Sequence, residues 1–267
     1  MNEATRKNLR SWARRITIDL AIIYLGLCAI GLFMINGLMF RPHAPGYSWD
    51  TPHVVNVGDD ATPVAAMWLP STTPGKTVLY SHGNGEDLGD LTEIFEAFRK
   101  AGFSVLGYDY PGYGLSAGKP TEKSAYAAAD TAYRFLTTRH GTAPADILAL
   151  GRSLGSGPAC YLAERHPLGG LIIESGFTSA PRVMTRIRLL PFDPFPNIRR
   201  IPNISAPKLF IHGMEDRVIP YTHSQTLFAA AAPPKTHRGI GGAGHDDLMF
   251  VIGDDAYFKL LQTFTDP

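Results

Sequence analysis

The sequence predicts an α/β protein with a mainly parallel, twisted sheet, helices on both faces and a short lid, preceded by an N-terminal transmembrane helix. Three observations predict it. From residue 54 onward, short apolar strand-like runs alternate with amphipathic helix-like stretches, and repeated strand–helix–strand units favour parallel sheets buried on both faces. Before them lies an uninterrupted apolar run from Leu20 to Phe40. At 267 residues, with 45% apolar and 18% charged, the chain can form one large domain or two small ones and has a globular composition.

The apolar run covers 21 positions, of which only Asn36 is clearly polar. A helix of that length spans roughly 30 Å, the thickness of a bilayer's hydrocarbon core. Arg6, Lys7, Arg10, Arg14 and Arg15 precede it, against Glu3 and Asp19. The positive-inside rule then makes residues 1–19 a basic cytoplasmic N-terminus and puts the rest of the chain on the non-cytoplasmic side. A cleaved signal peptide fits less well, because its apolar region runs to roughly 7–15 residues and no small-x-small site follows here. Leu27, before Cys28, is not the small residue a lipoprotein site needs. A buried core helix would show a stripe, whereas these apolar residues go all the way round. The expectation is a single-pass anchor at 20–40, a Pro/Gly-containing linker at 41–52 and a globular domain at 53–267.

Within that domain Val54–Val57 and Val64–Leu69 read as a hairpin, and Thr77–Ser81 as a short strand ending in a Gly-rich turn. Leu88–Ala101 reads as a helix, with Leu91, Ile94, Phe95 and Phe98 at i, i+3, i+4 and i+7. Phe103–Tyr108 is the next strand, followed by a helix over Glu122–Arg139. Ile147–Gly151 is a strand running into a turn, and Gly155–His166 the helix after it. Gly170–Glu174, Lys208–His212 and Thr236–Ile240 complete the strands, and Asp254–Phe264 is the last helix. The stretch 178–207 carries five prolines, at 181, 191, 194, 196 and 202, so it cannot be one regular helix. It is placed where a lid could cover a site, with Met184, Ile187, Leu189, Leu190 and Phe192 suited to an acyl chain or to ordinary core packing.

A net charge of +1 offers no broad electrostatic footprint for nucleic acid. The nine histidines show no H-E-x-x-H spacing and the two cysteines, Cys28 and Cys160, no metal-site or disulfide framework. The expected metal and cofactor content is therefore none.

The chemistry is carried by four motifs. Gly151-Arg152-Ser153-Leu154-Gly155 matches G-x-S-x-G between a strand and a helix, a turn that lifts a serine hydroxyl above the sheet edge. Its competitor is a Gly-rich phosphate or packing turn; the strand before and the helix after supply the context that the catalytic motif requires. The turn places the Leu154 N–H at a helix start, where it can bind a developing oxyanion. Ser81-His82-Gly83-Asn84-Gly85 follows an earlier strand and can aim a second backbone N–H, that of Asn84, at the same oxygen. Asp216, in His212-Gly213-Met214-Glu215-Asp216, lies at the same sheet edge, and Gly242-Ala243-Gly244-His245 presents a histidine on a Gly-rich turn. A serine hydroxyl needs a histidine to take its proton and an acid to orient the imidazole. Ser153, His245 and Asp216 fill those roles, with Glu174 as the rival acid. Asp246 and Asp247 read as solvated or helix-capping, Asp109 as turn-stabilising, and His82 as ordering its own loop.

Six stretches carry a resemblance: SHGNGEDLG at 81–89, YDYPGYGLSAGKPTE at 108–122, GRSLGSGPA at 151–159, FDPFPNIRRI at 192–201, IHGMEDRVIP at 211–220 and GAGHDDL at 242–248. From about Thr77 onward the chain resembles the α/β-hydrolase superfamily. It is similar to the membrane-associated group that contains depalmitoylating serine hydrolases and their bacterial relatives. The resemblance implies the α/β-hydrolase fold, Ser153 as nucleophile, Asp216 as acid, His245 as base, and Asn84 and Leu154 as oxyanion donors. The depalmitoylating members reach the membrane through a Cys-rich N-terminus, where this chain has its apolar run. The expected function is a membrane-anchored serine hydrolase cleaving carboxylic esters or thioesters of small-molecule, acyl-lipid or acylated substrates. A peptidase or amidase on the same fold and a non-catalytic binding module are the alternatives.

Overall fold

The computed structural model describes residues 3–73, 75–185 and 191–265. Helix α1 (Glu3–Met39) comes first, then strands β1 (Val54–Asn56), β2 (Ala65–Leu69) and β3 (Thr77–Ser81). Next come α2 (Thr92–Lys100), β4 (Ser104–Tyr108), α3 (Glu122–Arg134), β5 (Ile147–Arg152), α4 (Ser156–Arg165) and β6 (Gly170–Glu174). Two short helices, α5 (Ala180–Thr185) and α6 (Asn197–Arg200), precede β7 (Lys208–Gly213). The chain ends with α7 (Thr222–Ala230), β8 (Lys235–Ile240), α8 (Leu248–Ile252) and α9 (Asp254–Thr265).

The eight strands form one sheet in the order β1-β2-β4-β3-β5-β6-β7-β8. β2 runs antiparallel to β1 and β4, and every other pairing is parallel. The central parallel strands β3, β5, β6 and β7 are buried along both faces, as their continuous apolar runs require, whereas the edge strand β8 is partly exposed. Side-chain alternation sorts those runs into two cores. Leu79, Leu106, Ala149, Leu171 and Phe210 face the side covered by α3, α4 and α7. Val78, Val105, Leu148, Ile172 and Leu209 face the side covered by α2 and α9, where Phe95, Phe98, Tyr257 and Leu261 meet them.

Helix boundaries differ from expectation where side chains intervene. α2 begins at Thr92, because Leu88 and Leu91 are buried within the turn before it. α3 starts at a capping box in which the Thr121 side chain accepts from Ser124 N and the Ser124 hydroxyl accepts from Thr121 N. It passes at Phe135 into a π-helical turn over Phe135–Arg139. There the Thr137 and Thr138 hydroxyls donate back to the Tyr133 and Arg134 carbonyls, competing with the regular ladder. α7 is absent from the sequence reading, since THSQTLFAA shows no clean apolar stripe.

The 178–207 stretch divides in two. Phe195, Ile201 and Ile204 are core residues, and Asn197 Nδ2 donates to Ser156 Oγ and the Phe177 carbonyl. Phe192 is half-buried. Residues 186–190 and the Met184 side chain lie outside the described residues, and with them most of the lid candidates.

α1 covers residues 20–39 of the expected 20–40 span and extends back to Glu3. Leu20, Ile22, Leu25, Leu27 and Ile30 on it are more than half exposed. Among the described residues no helix is long and apolar enough to cross a membrane. The side chains at 32–35 and 38, within that span, lie outside the described residues.

Candidate active site

β5 carries the chain to Arg152, and a single 3-10 turn over Ser153–Gly155 leads into α4. Ser153 sits at φ +51°, in the left-handed region that non-glycine residues rarely adopt. The turn closes only because its flanks lack side chains. A Cβ at Gly155 would lie 1.9 Å from the Ser81 carbonyl oxygen, and one at Gly151 2.3 Å from the Gly155 carbonyl oxygen. Gly155→Ala is therefore expected to remove more than about 3 kcal/mol of stability, since backbone atoms on both sides cannot yield. Urea unfolding followed by circular dichroism measures it; a wild-type midpoint would show that the turn has room to spare.

The structure brings three of the expected residues together. His245 Nε2 lies 3.0 Å from Ser153 Oγ, and His245 Nδ1 lies 2.7 Å from Asp216 Oδ2. Asp216 follows β7 and His245 follows β8, so parallel pairing of those strands sets their loops side by side. Backbone bonds from Met214 N to the Ile240 carbonyl and from Glu215 N to the Ala243 carbonyl pin one loop to the other. Asp216 Oδ1 accepts from the Val218 and Ile219 N–H groups at 2.8 Å each, and His212 Nε2 stands 3.1 Å from Oδ2. Burial alone would raise the Asp216 carboxyl, but the hydrogen bonds from His212, His245 and Ile219 outweigh it and hold the group well below the usual carboxylate range. Glu174, the rival acid, is engaged elsewhere: Tyr257 OH donates to it at 2.7 Å and Arg152 Nε lies 3.6 Å away.

Asn84 and Leu154 both line the cavity that Ser153 opens into, which measures about 820 Å³. Its floor holds Gly83, Asn84, Ser153, Leu154 and His245; its apolar wall includes Phe177, Ala180, Val183 and Val218. Gly31 and Met39 of α1 complete the wall.

Sequence reasoning missed a charged cluster at this floor, where Glu86, Arg152 and Asp246 also line the cavity. Arg152 Nη1 donates to Glu86 Oε2 at 2.6 Å and Nη2 to Asp246 Oδ1 at 2.7 Å. The other Glu86 oxygen accepts the Gly83 N–H. One guanidinium thus links the serine turn, the Gly83–Asn84 loop and the residue after His245. The available signal was an arginine at the x of G-x-S-x-G, with an acid in each neighbouring motif. Asp246 is accordingly ion-paired rather than merely solvated, and Asp247 accepts from Gly244 N at 2.7 Å while making no side-chain cap to α8.

His82 is fully buried, with Nδ1 donating to the Gly83 carbonyl at 2.7 Å and Nε2 3.3 Å from Asp109 Oδ1. Tyr47 OH donates to the other Asp109 oxygen, and Tyr110 OH to the His82 carbonyl. Burial pushes the imidazole pKa down, but the bond and attraction from Asp109 outweigh it and raise it above the ordinary histidine value. Histidine titrates near 6.5 when unfolded, so this pair stabilises fully below that pH and its contribution disappears as pH rises through the raised folded value. Urea unfolding is expected to give lower stability at pH 9 than at pH 6, and Asp109→Asn to reduce that difference. An unchanged difference in Asp109→Asn would assign the dependence to another group.

Among the described residues, His43, Asp87 and Asp90 form the group whose ligand atoms lie within 4.8 Å of one another. They already serve the fold: His43 pairs with Asp90, and Asp87 accepts from Gly46 N and Gly89 N.

Residues 72–192 match the Hydrolase_4 family model, described as "Serine aminopeptidase, S33". Human alpha/beta hydrolase domain-containing protein 17B is 38% identical over 189 residues, covering 69% of this chain and 66% of that protein. The mouse 17C protein is 38% identical over 192 residues, covering 70% of this chain and 59% of its own length. The chain thus spans slightly less than two thirds of these relatives. Among solved structures, the Pyrococcus furiosus esterase Pf2001 superposes with a TM-score of 0.68 at 16% identity, covering 85% of this chain and 98% of that one. Est1E from Butyrivibrio proteoclasticus, solved with ferulic acid, superposes at 0.63 and 17% identity, covering 80% and 100%. At those identities the structural likeness speaks for the fold.

Proposed function

Since the chain is a member of the α/β-hydrolase superfamily, we propose that it is a serine hydrolase that cleaves carboxylic esters or thioesters through an acyl-enzyme on Ser153. The hydrogen-bond chain Ser153–His245–Asp216, at the floor of a largely apolar cavity, carries this reading. His245 Nε2 accepts the Ser153 proton as Oγ attacks the acyl carbonyl, and Asp216 steadies the imidazolium. The backbone N–H groups of Asn84 and Leu154 stabilise the oxyanion. His245 then passes the proton to the leaving alcohol or thiol and activates the water that frees the acid. No cofactor takes part.

Residues 20–40 anchor the chain in a membrane, with the N-terminus cytoplasmic and the hydrolase domain opposite. The 21-residue apolar run and its five preceding positive charges support this, as do the exposed apolar side chains of α1. An anchored site suits acyl-lipid or lipidated substrates. Resistance to alkaline carbonate extraction, with protease access to the domain from outside the cytoplasm, is the expected behaviour; release into the soluble fraction would overturn it.

The test of function is kcat/KM on matched oxygen esters, thioesters and amides of increasing acyl length, with Ser153→Ala as control. Ester or thioester turnover rising with chain length is expected. A preference for amides would favour the peptidase reading, which the family model's description supports. No turnover above the control on any series would leave a binding module.

A further inference from the structure

The stretch leaving α1 does not hang free of the domain but lies along the loop that carries Asn84. The Arg41 backbone N–H is 2.9 Å from both Asn84 Oδ1 and Tyr113 OH. Tyr113 OH in turn donates to the same Asn84 oxygen at 2.7 Å. Further on, Gly46 N donates to Asp87 and Tyr47 OH to Asp109, the partner of His82. Phe40 is buried, with 4% exposure, its ring edge-on to Tyr113 at 6.4 Å and to Phe195 at 6.0 Å. Phe195 itself packs against Gly157 in the first turn of α4, directly behind Ser153.

A backbone N–H stabilises an oxyanion only if it is held on the reacting oxygen before charge develops. Asn84 lies between Gly83 and Gly85, and on its N-terminal side the Gly83 carbonyl accepts from His82 Nδ1 while the Gly83 N–H is held by Glu86. A second restraint comes from its side-chain oxygen, held by two donors from outside its own loop. One is the backbone of residue 41; the other is a tyrosine whose ring is packed by Phe40.

We propose that Phe40 and the Arg41 amide are positioning residues for the oxyanion hole, acting through the Asn84 side chain. The exit of the N-terminal helix is then a working part of the catalytic site as well as a tether. This rests on the reading of Ser153 as nucleophile and Asn84 as oxyanion donor. Shortening the Phe40 side chain lets Tyr113 and the 41 amide shift, and the Asn84 N–H loses its fixed aim. Substrate binding is unaffected; stabilisation of the transition state falls.

The test uses the full chain in detergent micelles and a short, soluble 4-nitrophenyl ester, with active sites titrated by a fluorophosphonate. Phe40→Ala is expected to lower kcat per titrated site about tenfold with KM within about twofold. Phe40→Leu, which keeps the packing volume, restores most of it. In an Asn84→Ala background the Phe40→Ala loss shrinks to below about twofold, because the group it acts through is gone. Tyr113→Phe, which removes only the hydroxyl, lowers kcat in the same Asn84-dependent way and carries the test if Phe40→Ala does not fold. Wild-type kcat per site in Phe40→Ala and Tyr113→Phe, or an undiminished loss in the Asn84→Ala background, would overturn the inference alone. A wild type without Ser153-dependent turnover would overturn the underlying reading and the inference with it.

Discussion

Ser153→Ala is expected to lower kcat/KM on the best ester substrate by at least about 10⁴-fold while leaving the unfolding midpoint unchanged. The hydroxyl has His245 Nε2 in hydrogen-bond reach, at 3.0 Å. Without it there is no oxygen for His245 to activate and no acyl-enzyme. The residual rate then reflects oxyanion binding and water attack alone. Alanine at this position removes one oxygen from a half-buried site and adds nothing, so the fold is unaffected. The same variant should fail to label with a fluorophosphonate probe that labels the wild type at a single residue. Labelling that persists in Ser153→Ala would move the nucleophile elsewhere and undo the functional reading.

Asp216→Asn is expected to cost about 10³–10⁴-fold in kcat with little change in KM. The carboxylate oxygen that meets His245 Nδ1 at 2.7 Å requires a protonated Nδ1, which leaves Nε2 free to accept from Ser153. An asparagine amide can present its NH₂ there instead, favouring the opposite tautomer and aiming a donor at the serine. The substitution also changes the acid limb of stability. Because the Asp216 carboxyl is held below its unfolded value of about 3.9, it stabilises the fold above that pH, and the contribution disappears as pH falls through the folded value. Asp216→Asn should flatten that part of the stability–pH curve, measured by urea unfolding between pH 5 and the acid transition. Near wild-type kcat in Asp216→Asn would pass the role to Glu174, despite its engagement by Tyr257.

Much of the site could be read in the sequence because its parts are local. The run Gly151–Gly155 announces a tight turn wherever it occurs, and a strand before it and helix after it are visible in residue periodicity. Asp216 follows an apolar strand, and His245 sits on a Gly-rich turn. Arg152 was legible only as a letter in a motif. Its partners, Glu86 and Asp246, are 66 and 94 residues away in the chain, and charge pairing at such separations depends on which strands lie side by side. The Phe40–Tyr113–Asn84 contact was hidden for the same reason. Phe40 reads as the last residue of an apolar run and becomes a packing partner only when α1 is brought against the domain. The irregular 178–207 stretch looked like cover for the site because of its prolines. Burial of Phe195, Ile201 and Ile204 makes its second half core instead, since apolar side chains next to α4 bury wherever space exists.

What the sequence by itself determined is the order of the strands and of the longer helices apart from α7, the class of fold, and the residue types at the serine turn and at positions 216 and 245. These follow from side-chain periodicity and from the backbone freedom of glycine, both properties of a few consecutive residues. The tertiary structure alone decided that Ser153 and His245 meet within 3.0 Å. It alone decided that one arginine ties three loops together and that the exit of the N-terminal helix contacts the Gly83–Asn84 loop. Those contacts depend on sheet order and helix docking, which are set by the burial of two whole cores and by no single stretch of chain.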